Sequence, residues 1–297
     1  MQKECRLCPR NCGTDRDKAF GVCQVSNKVK IARAALHFWE EPCISGENGS
    51  GAVFFSGCPL HCVFCQNEEI SHGKVGMEVS GEQLADIYIN LQNKGANNIN
   101  LVTGSQYIPD IIYSVKYARL KGLNIPIVYN TSGYEKVESL KALEGIVDVY
   151  LPDFKYMDPE LAIKYSHAAD YPEVAKLAID EMVRQVGTPS FDEAGLMKKG
   201  VIVRQLLLPG HVRDAKEILH FLHDKYKDVI YISMMSQYTP MAHIKDDYPE
   251  IYRRVTKREY STLVDYALSI GIENAFIQDR KVAKESFIPD FNLEGID

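Results

Sequence analysis

Apolar and polar positions along the chain switch repeatedly between two periods. Six short, nearly continuous apolar runs, at residues 52–57, 99–104, 127–131, 147–154, 201–208 and 229–235, predict buried strands. Between them the spacing is helical. Leu84, Ile87, Tyr88 and Leu91 recur at i, i+3, i+4 and i+7, and Ser80 with Gln83 forms a capping box ahead of them. Further helical stretches are predicted at 111–120, 134–143, 172–186 and 212–226, and around Leu263, Val264 and Ala267, the last stopping at Gly271. Residues 275–278 form a candidate seventh strand. Strand–helix repetition with apolar strands predicts an α/β fold, a parallel sheet covered by helices. Six units suit an open, partial (β/α)6 barrel, whose chemistry would gather at the C-terminal ends of the strands.

At 297 residues the chain is long for one ordinary core but normal for an α/β barrel. A net charge of −6 leaves no electrostatic footprint for nucleic acid. No run of 18 apolar residues predicts a membrane span, and the first residues lack the apolar core of a signal peptide. Eight cysteines without a secretion signal therefore point to metal or redox use in a cytoplasmic protein, not to disulfides. Composition shifts only at the front, where residues 1–25 are cysteine-rich and polar. The expected division is a cysteine-rich, metal-binding N-terminal extension with linker at 1–45, and a barrel with C-terminal helix and tail at 46–297.

The densest chemistry follows the first apolar run. Cys58, Cys62 and Cys65 stand at Cys-x3-Cys-x2-Cys spacing. A four-iron cluster in a ferredoxin takes one Cys per iron. Three ligands leave one iron open to a small molecule, the arrangement used for radical chemistry with S-adenosylmethionine (SAM). A zinc knuckle is the plainer reading, but zinc sites more often pair Cys-x2-Cys with a distant second pair, and none follows.

At these residues the chain resembles the radical SAM superfamily. Phe64 is the aromatic residue before the third Cys, where that family packs a ring on adenine. Gln66 and Asn67, and the lead-in at 49–58, resemble the activating enzymes of pyruvate formate-lyase. The segments at 5–13, 36–42, 100–103 and 283–289 resemble the PflX-like, activase-related branch. The similarity runs over nearly the whole chain and implies a reaction type but no substrate.

The resemblance extends to the strand ends. Asp153 and Lys155 share one face by alternation, and two inward charges need partners, each other or a ligand. They resemble an activase motif in which the Lys meets the SAM carboxylate and the Asp helps to hold a monovalent cation. Arg204 interrupts an apolar strand and needs an anion, either the methionine carboxylate or a carboxylate of the barrel. The Pro209-Gly210 turn above it resembles that of the activases. Thr103, Gly104 and Ser105 stand where activases carry Gly-Gly-Glu, so a backbone contact to the substrate's amino group is retained and a Glu contact is not. Asn130 and its polar neighbours are placed to meet the ribose, with helix capping by Thr131 or Ser132 the alternative. Ser236, Gln237 and Tyr238 lie where adenine or substrate would sit.

Cys5, Cys8, Cys12 and Cys23 supply four thiols in nineteen residues, a closed set. In so short and apolar-poor a segment a bound metal would supply the order; zinc and a second 4Fe-4S cluster fit the spacing equally, and free, unligated thiols are the plainer alternative. The simple activases lack this segment. Cys43 reads as a structural thiol. His37, Trp39, Glu40 and Glu41 read as a linker packed on the barrel wall, with lining of its mouth as the alternative. The leading expectation is an enzyme that cleaves SAM, forms a 5′-deoxyadenosyl radical and takes hydrogen from a substrate. The resemblance implies a glycine of a partner protein, and a low-potential electron donor of flavodoxin or ferredoxin type. Radical modification of a peptide or small molecule is the alternative within enzymes. A non-catalytic iron–sulfur electron-transfer or scaffold protein is the alternative outside them.

Overall fold

The structure is a computed structural model that describes residues 4–278 and 289–296. The segment at 283–289 that bears part of the family resemblance lies, apart from Pro289, outside the described residues.

The chain enters the sheet at β1 (Lys30–His37), makes the single turn α1 (Pro42–Ser45) and returns as β2 (Ser50–Phe55). After α2 (Glu68–Ser71) and the short β3 (Met77–Glu78), alternation begins: α3 (Gly81–Asn93), β4 (Ile99–Val102), α4 (Ile108–Leu120), β5 (Ile127–Thr131), α5 (Val137–Lys141) and β6 (Val149–Pro152). An insertion of α6 (Pro159–Ser166), α7 (Tyr171–Val186) and β7 (Ser190–Phe191) precedes β8 (Met197–Leu206). Then come α8 (Val212–Tyr226), β9 (Tyr231–Met235), α9 (Lys257–Ser269) and β10 (Ala275–Ile277).

Among the described residues the sheet order is β10-β9-β8-β6-β5-β4-β2-β1-β3, with β7 paired to β8. Every pair from β2 to β10 along this path is parallel, whereas β1 and β3 add antiparallel strands at one end. The expected α/β class and all seven strands are present. Ser80 and Gln83 form the anticipated capping box on α3. Two expectations are corrected. The helix predicted at 134–143 forms only over Val137–Lys141, because Tyr134 and Glu135 are held in the loop by side-chain contacts. Residues 30–37, read as part of a polar front and linker, form a sheet strand paired to β2.

Alternation along the strands sorts side chains between the two faces. Val53, Leu101, Tyr129, Tyr150, Val203 and Ile232 pack with Leu84, Ile111, Ile179, Leu219 and Leu263 of the helices in the main core. The opposite phase makes two smaller clusters, one of Ala52, Phe54 and Val102 and one of Val128, Val149, Leu151 and Ile202 with Cys43 and Ile44 of α1. Cys43 is thus a packing thiol. Continued toward the strand ends, this second phase delivers Asn130, Asp153, Arg204 and Met235 to one place.

Candidate active site

That place is a cavity of about 250 Å3 at the C-terminal ends of the parallel strands. Phe54, Val102, Asn130, Asp153, Arg204 and Met235 line it from the strands, and Cys58, Cys62, Phe64 and Cys65 from the loop after β2. Gly57 starts that loop at φ +87, a conformation open to glycine. Phe64 is buried, its ring edge-on to Tyr156, Tyr165 and Tyr238.

The three thiols suit a soft metal group. Burial, and then the neighbouring sulfur, pushes Cys58 up to about 11; the same causes push Cys65 up to about 12, and burial raises Cys62 against the pull of Lys155. As thiolates they therefore need a cationic partner. Two sulfurs already accept hydrogen bonds, Cys62 from Ser166 Oγ at 3.0 Å and Cys58 from the Leu60 amide at 3.4 Å, which favours the thiolate form. Among the described residues no three His, Cys, Asp or Glu side chains close on a single metal ion. A four-iron cluster, which would take these three thiolates on three different irons, holds them further apart than one ion does.

Beside the thiols lies a charge network. Lys155 Nζ contacts Asp153 Oδ2 at 2.6 Å, and Arg204 Nε donates to Asp153 Oδ1 at 3.0 Å. Arg204 also reaches Glu40 Oε2 at 3.2 Å and Asn130 Oδ1. A lone bridge between Asp153 and Arg204 extends the β6–β8 pairing and sets this register. Burial works against the charge on Asp153, but Lys155 and Arg204 hold its carboxyl below the usual range. Burial likewise opposes Lys155, and Asp153 outweighs it, so the ammonium is held more tightly than usual. Burial raises Glu40 and Glu41, with Arg204 opposing in both. In this cavity Lys155 and Arg204 thus face Asp153 and Glu40, with Glu41 lining the neighbouring one.

Thr103 reaches the cavity, and its φ of +59 is strained for a β-branched residue. Its amide donates to Asn130 C=O at 2.8 Å. Gly104 and Ser105 do not line the cavity. A Cβ at Gly104 would lie 2.5 Å from Ile111, and the buried Ser105 hydroxyl donates to Glu135. Burial lifts Glu135 to about 7, against hydrogen bonds from Ser105 and Thr131.

The segment read as a wall-packed linker is instead part of the site. His37, Trp39 and Glu40 line the cavity, and Glu40 accepts from Asn100 at 2.9 Å. A second cavity of about 360 Å3 shares Trp39, Glu40, Arg204, Met235 and Gln237 with the first and continues past Phe38, Pro42 and Phe276 to the edge strand β10. For Glu40 the alternative reading, lining of the barrel mouth, is the one the structure shows. Its signal was a Glu-Glu-Pro following a strand that small residues had concealed.

Residues 52–235 match the family model of the Radical SAM superfamily, well over half of the chain. The chain belongs to the radical SAM superfamily. Membership implies a 4Fe-4S cluster and SAM. An uncharacterized protein of Methanocaldococcus jannaschii, MJ0674, is 28% identical over 278 residues, 91% of this chain and 76% of that one. Two structures of Streptococcus suis SuiB are also similar. The one bound to S-adenosylmethionine matches with TM-score 0.49 and 14% identity over 75% of this chain and 48% of its own, and the one bound to precursor peptide SuiA with 0.47 and 15% over 73% and 46%. This radical SAM chain spans about half the length of those two structures. No helix among its described residues is long and apolar enough to cross a membrane.

Proposed function

We propose that the protein reductively cleaves SAM and directs the resulting radical at a protein substrate, a backbone glycine of a partner, in the manner of the activase-related, PflX-like branch it resembles. The observation that carries the cleavage is one cavity faced both by three thiols and by the Asp153–Lys155–Arg204–Glu40 network. Cys58, Cys62 and Cys65 would hold the cluster, which when bound would supply one electron for cleavage of SAM to methionine and a 5′-deoxyadenosyl radical.

The side chains supply positioning. Lys155 and Arg204 meet the methionine carboxylate, while Asp153 keeps both cations at the strand ends. Phe64 backs the adenine, and Asn130 and Thr103 face the ribose and amino group. Glu40, in the same lining, faces the sulfonium. Phe54 and Val102 keep water from the radical. The second cavity, open beside β10, admits an extended segment of a partner. A radical of this kind requires a low-potential donor of flavodoxin or ferredoxin type and a reducing compartment, so the protein is placed in the cytoplasm. Cys5, Cys8, Cys12 and Cys23 hold a second metal centre, zinc or a cluster.

An anaerobic reaction of the reconstituted full chain with SAM and a strong reductant tests this reading. Formation of 5′-deoxyadenosine is expected; its absence, with the cluster intact and SAM bound, favours the non-catalytic electron-transfer or scaffold reading. Deuterium carried into 5′-deoxyadenosine from a glycine-labelled partner supports the glycine target, and transfer only from a labelled peptide or small molecule overturns it.

A further inference from the structure

The four N-terminal cysteines take no part in the cavity, yet they are built into the loop that bears the radical-site thiols. Residues 4–29 contain no helix or strand. The segment closes on itself through the Cys5 amide to Thr14 C=O at 3.0 Å, the Gly13 amide to Cys5 C=O at 3.1 Å and the Asn11 amide to Cys8 C=O at 3.1 Å. Phe20 is 67% exposed, so the fold here is not held by an apolar core of its own.

Gly21 marks a space beside two of the thiols, Cys12 and Cys23. It lies outside the left-handed region, so no backbone conformation demands glycine there. A Cβ at this position would lie 3.3 Å from Cys23 Sγ, 3.6 Å from Cys12 Sγ and 3.7 Å from Arg16 Cδ. Arg16 is only 6% exposed, and its Nε, bonded to that Cδ, is buried without a hydrogen-bond partner. Its Nη1 lies 3.9 Å from Cys5 Sγ. A buried N–H donor therefore borders a space kept clear between sulfurs. Four thiolates around a bound metal group carry net negative charge and accept such a hydrogen bond, whether the group is zinc or a cluster. A zinc ion at about 2.3 Å from each sulfur would, however, require the thiols to converge. Neither they nor the radical-site thiols close on a single ion.

We propose that Cys5, Cys8, Cys12 and Cys23 bind a second 4Fe-4S cluster, with Arg16 donating to it, and that this cluster is a one-electron station for the radical site. The relay rests on the reading of Cys58, Cys62 and Cys65 as cluster ligands. The two sets meet directly: the Cys58 amide donates to Cys23 C=O at 3.3 Å. A Cβ at Gly57 would lie 2.7 Å from that same oxygen, so glycine lets the two loops touch. A second link runs from Arg16 to Gln106 C=O at 2.6 Å, and from Gln106 Nε2 to Gly57 C=O at 2.9 Å. A low-potential carrier protein loses one electron, the N-terminal cluster gains it and passes it on, and the radical-site cluster gains it, with no atom or proton moved.

The test compares anaerobically reconstituted full-length proteins by iron and zinc content and by electron paramagnetic resonance after reduction. About eight irons are expected in the unaltered chain, and about four in both the Cys58→Ala/Cys62→Ala/Cys65→Ala protein and the Cys12→Ala/Cys23→Ala protein. SAM should perturb the signal only where the radical-site thiols remain. Gly21→Val, which removes no ligand, should also lose about four irons. Reduction of the radical-site cluster by a reduced ferredoxin should slow at least roughly tenfold in Cys12→Ala/Cys23→Ala with SAM binding unchanged, as expected when an electron station is lost. One zinc in place of the second four irons, an iron-free triad variant, or an unchanged ferredoxin rate overturns the proposal. Loss of the SAM-sensitive signal alone, with four irons kept at the N-terminal thiols, overturns the radical-site reading and leaves this site standing.

Discussion

Cys58, Cys62 and Cys65 face a cavity crowded with charge, whereas Cys5, Cys8, Cys12 and Cys23 lie outside it, with the buried guanidinium of Arg16 beside them. The number of thiols explains the difference. Three ligands would leave a cluster incomplete, and Lys155 and Arg204 line the same cavity as the three thiols, where a ligand would have room to complete it. Four ligands complete a cluster, and the surroundings need only balance its charge and hold it near its target. The same element can therefore be a reaction centre in one loop and an electron station in a loop packed against it. The barrel assigns the roles, because of the two cysteine segments it is the loop after β2 that overlooks inner-face residues delivered by six parallel strands.

The largest test of this contrast is Cys62→Ala beside Cys12→Ala. Cys62→Ala should form no 5′-deoxyadenosine under a strong chemical reductant and should lose the SAM-dependent spectral change. Cys12→Ala should bind SAM as the unaltered protein does. Equal loss of SAM binding in two folded variants would erase the distinction between the sets. Next in size is Arg204→Ala, which leaves Asp153 and Glu40 facing a buried space without their shared cation. Breaking a buried pair in this way costs about 3–5 kcal/mol, measurable by denaturant unfolding of the anaerobic protein. A loss below about 1 kcal/mol would mean that the network is solvated like a surface pair.

The β/α framework was legible because buried parallel strands are apolar on both faces and because α3 and α9 carry capping boxes. The inner-face placement of Asp153 and Lys155 followed from alternation alone. Other features depended on contacts distant in sequence. β1 consists largely of small residues and charges, Lys30-Ile-Ala-Arg-Ala-Ala-Leu-His37, and becomes a strand only because β2 offers it an edge. With β1 hidden, Glu40 looked like linker. The first turn of the helix predicted at 134 is unwound because the Glu135 carboxylate accepts from Ser105 and Thr131. The spacing of the N-terminal cysteines fits zinc and a cluster alike, and the space that Gly21 leaves beside Cys12, Cys23 and Arg16 is visible only in three dimensions.

Lys155→Met sharpens the role of the cavity without emptying it. The ammonium lies close enough to Cys62 and Cys58 to pull both thiols down against burial, so it reaches the side where the cosubstrate must dock. Losing one charge-assisted contact to a carboxylate should weaken SAM binding by about 1.5–3 kcal/mol, roughly ten- to hundredfold. Equilibrium binding to the reconstituted protein measures it. Unchanged affinity with four irons at the radical site would confine Lys155 to its pair with Asp153.

Arg10→Ala probes how far the two cysteine sets depend on each other. Arg10 lies between Cys8 and Cys12, and its guanidinium reaches out of that segment to the other one. Nε donates to Pro59 C=O at 2.8 Å, and Nη2 to Ser166 C=O at 3.0 Å, while Nη1 reaches His167 C=O at 2.5 Å. Its guanidinium also lies 5.3 Å from the ring centre of Tyr134. These contacts tie the N-terminal loop to the cysteine loop after β2 and to the end of α6, whose Ser166 donates to Cys62. Because Arg10 is partly open to water, its removal should cost only about 1–2 kcal/mol, less than the full sum of its bonds. The effect should be local. Amide exchange should quicken at residues 4–29 and 58–62, with the helices unchanged, and ferredoxin-driven reduction of the radical site should slow as the loops separate. Faster exchange confined to residues 4–29 would show that the radical-site loop stands without this support, and the contrast between the two sets would then extend to their folding.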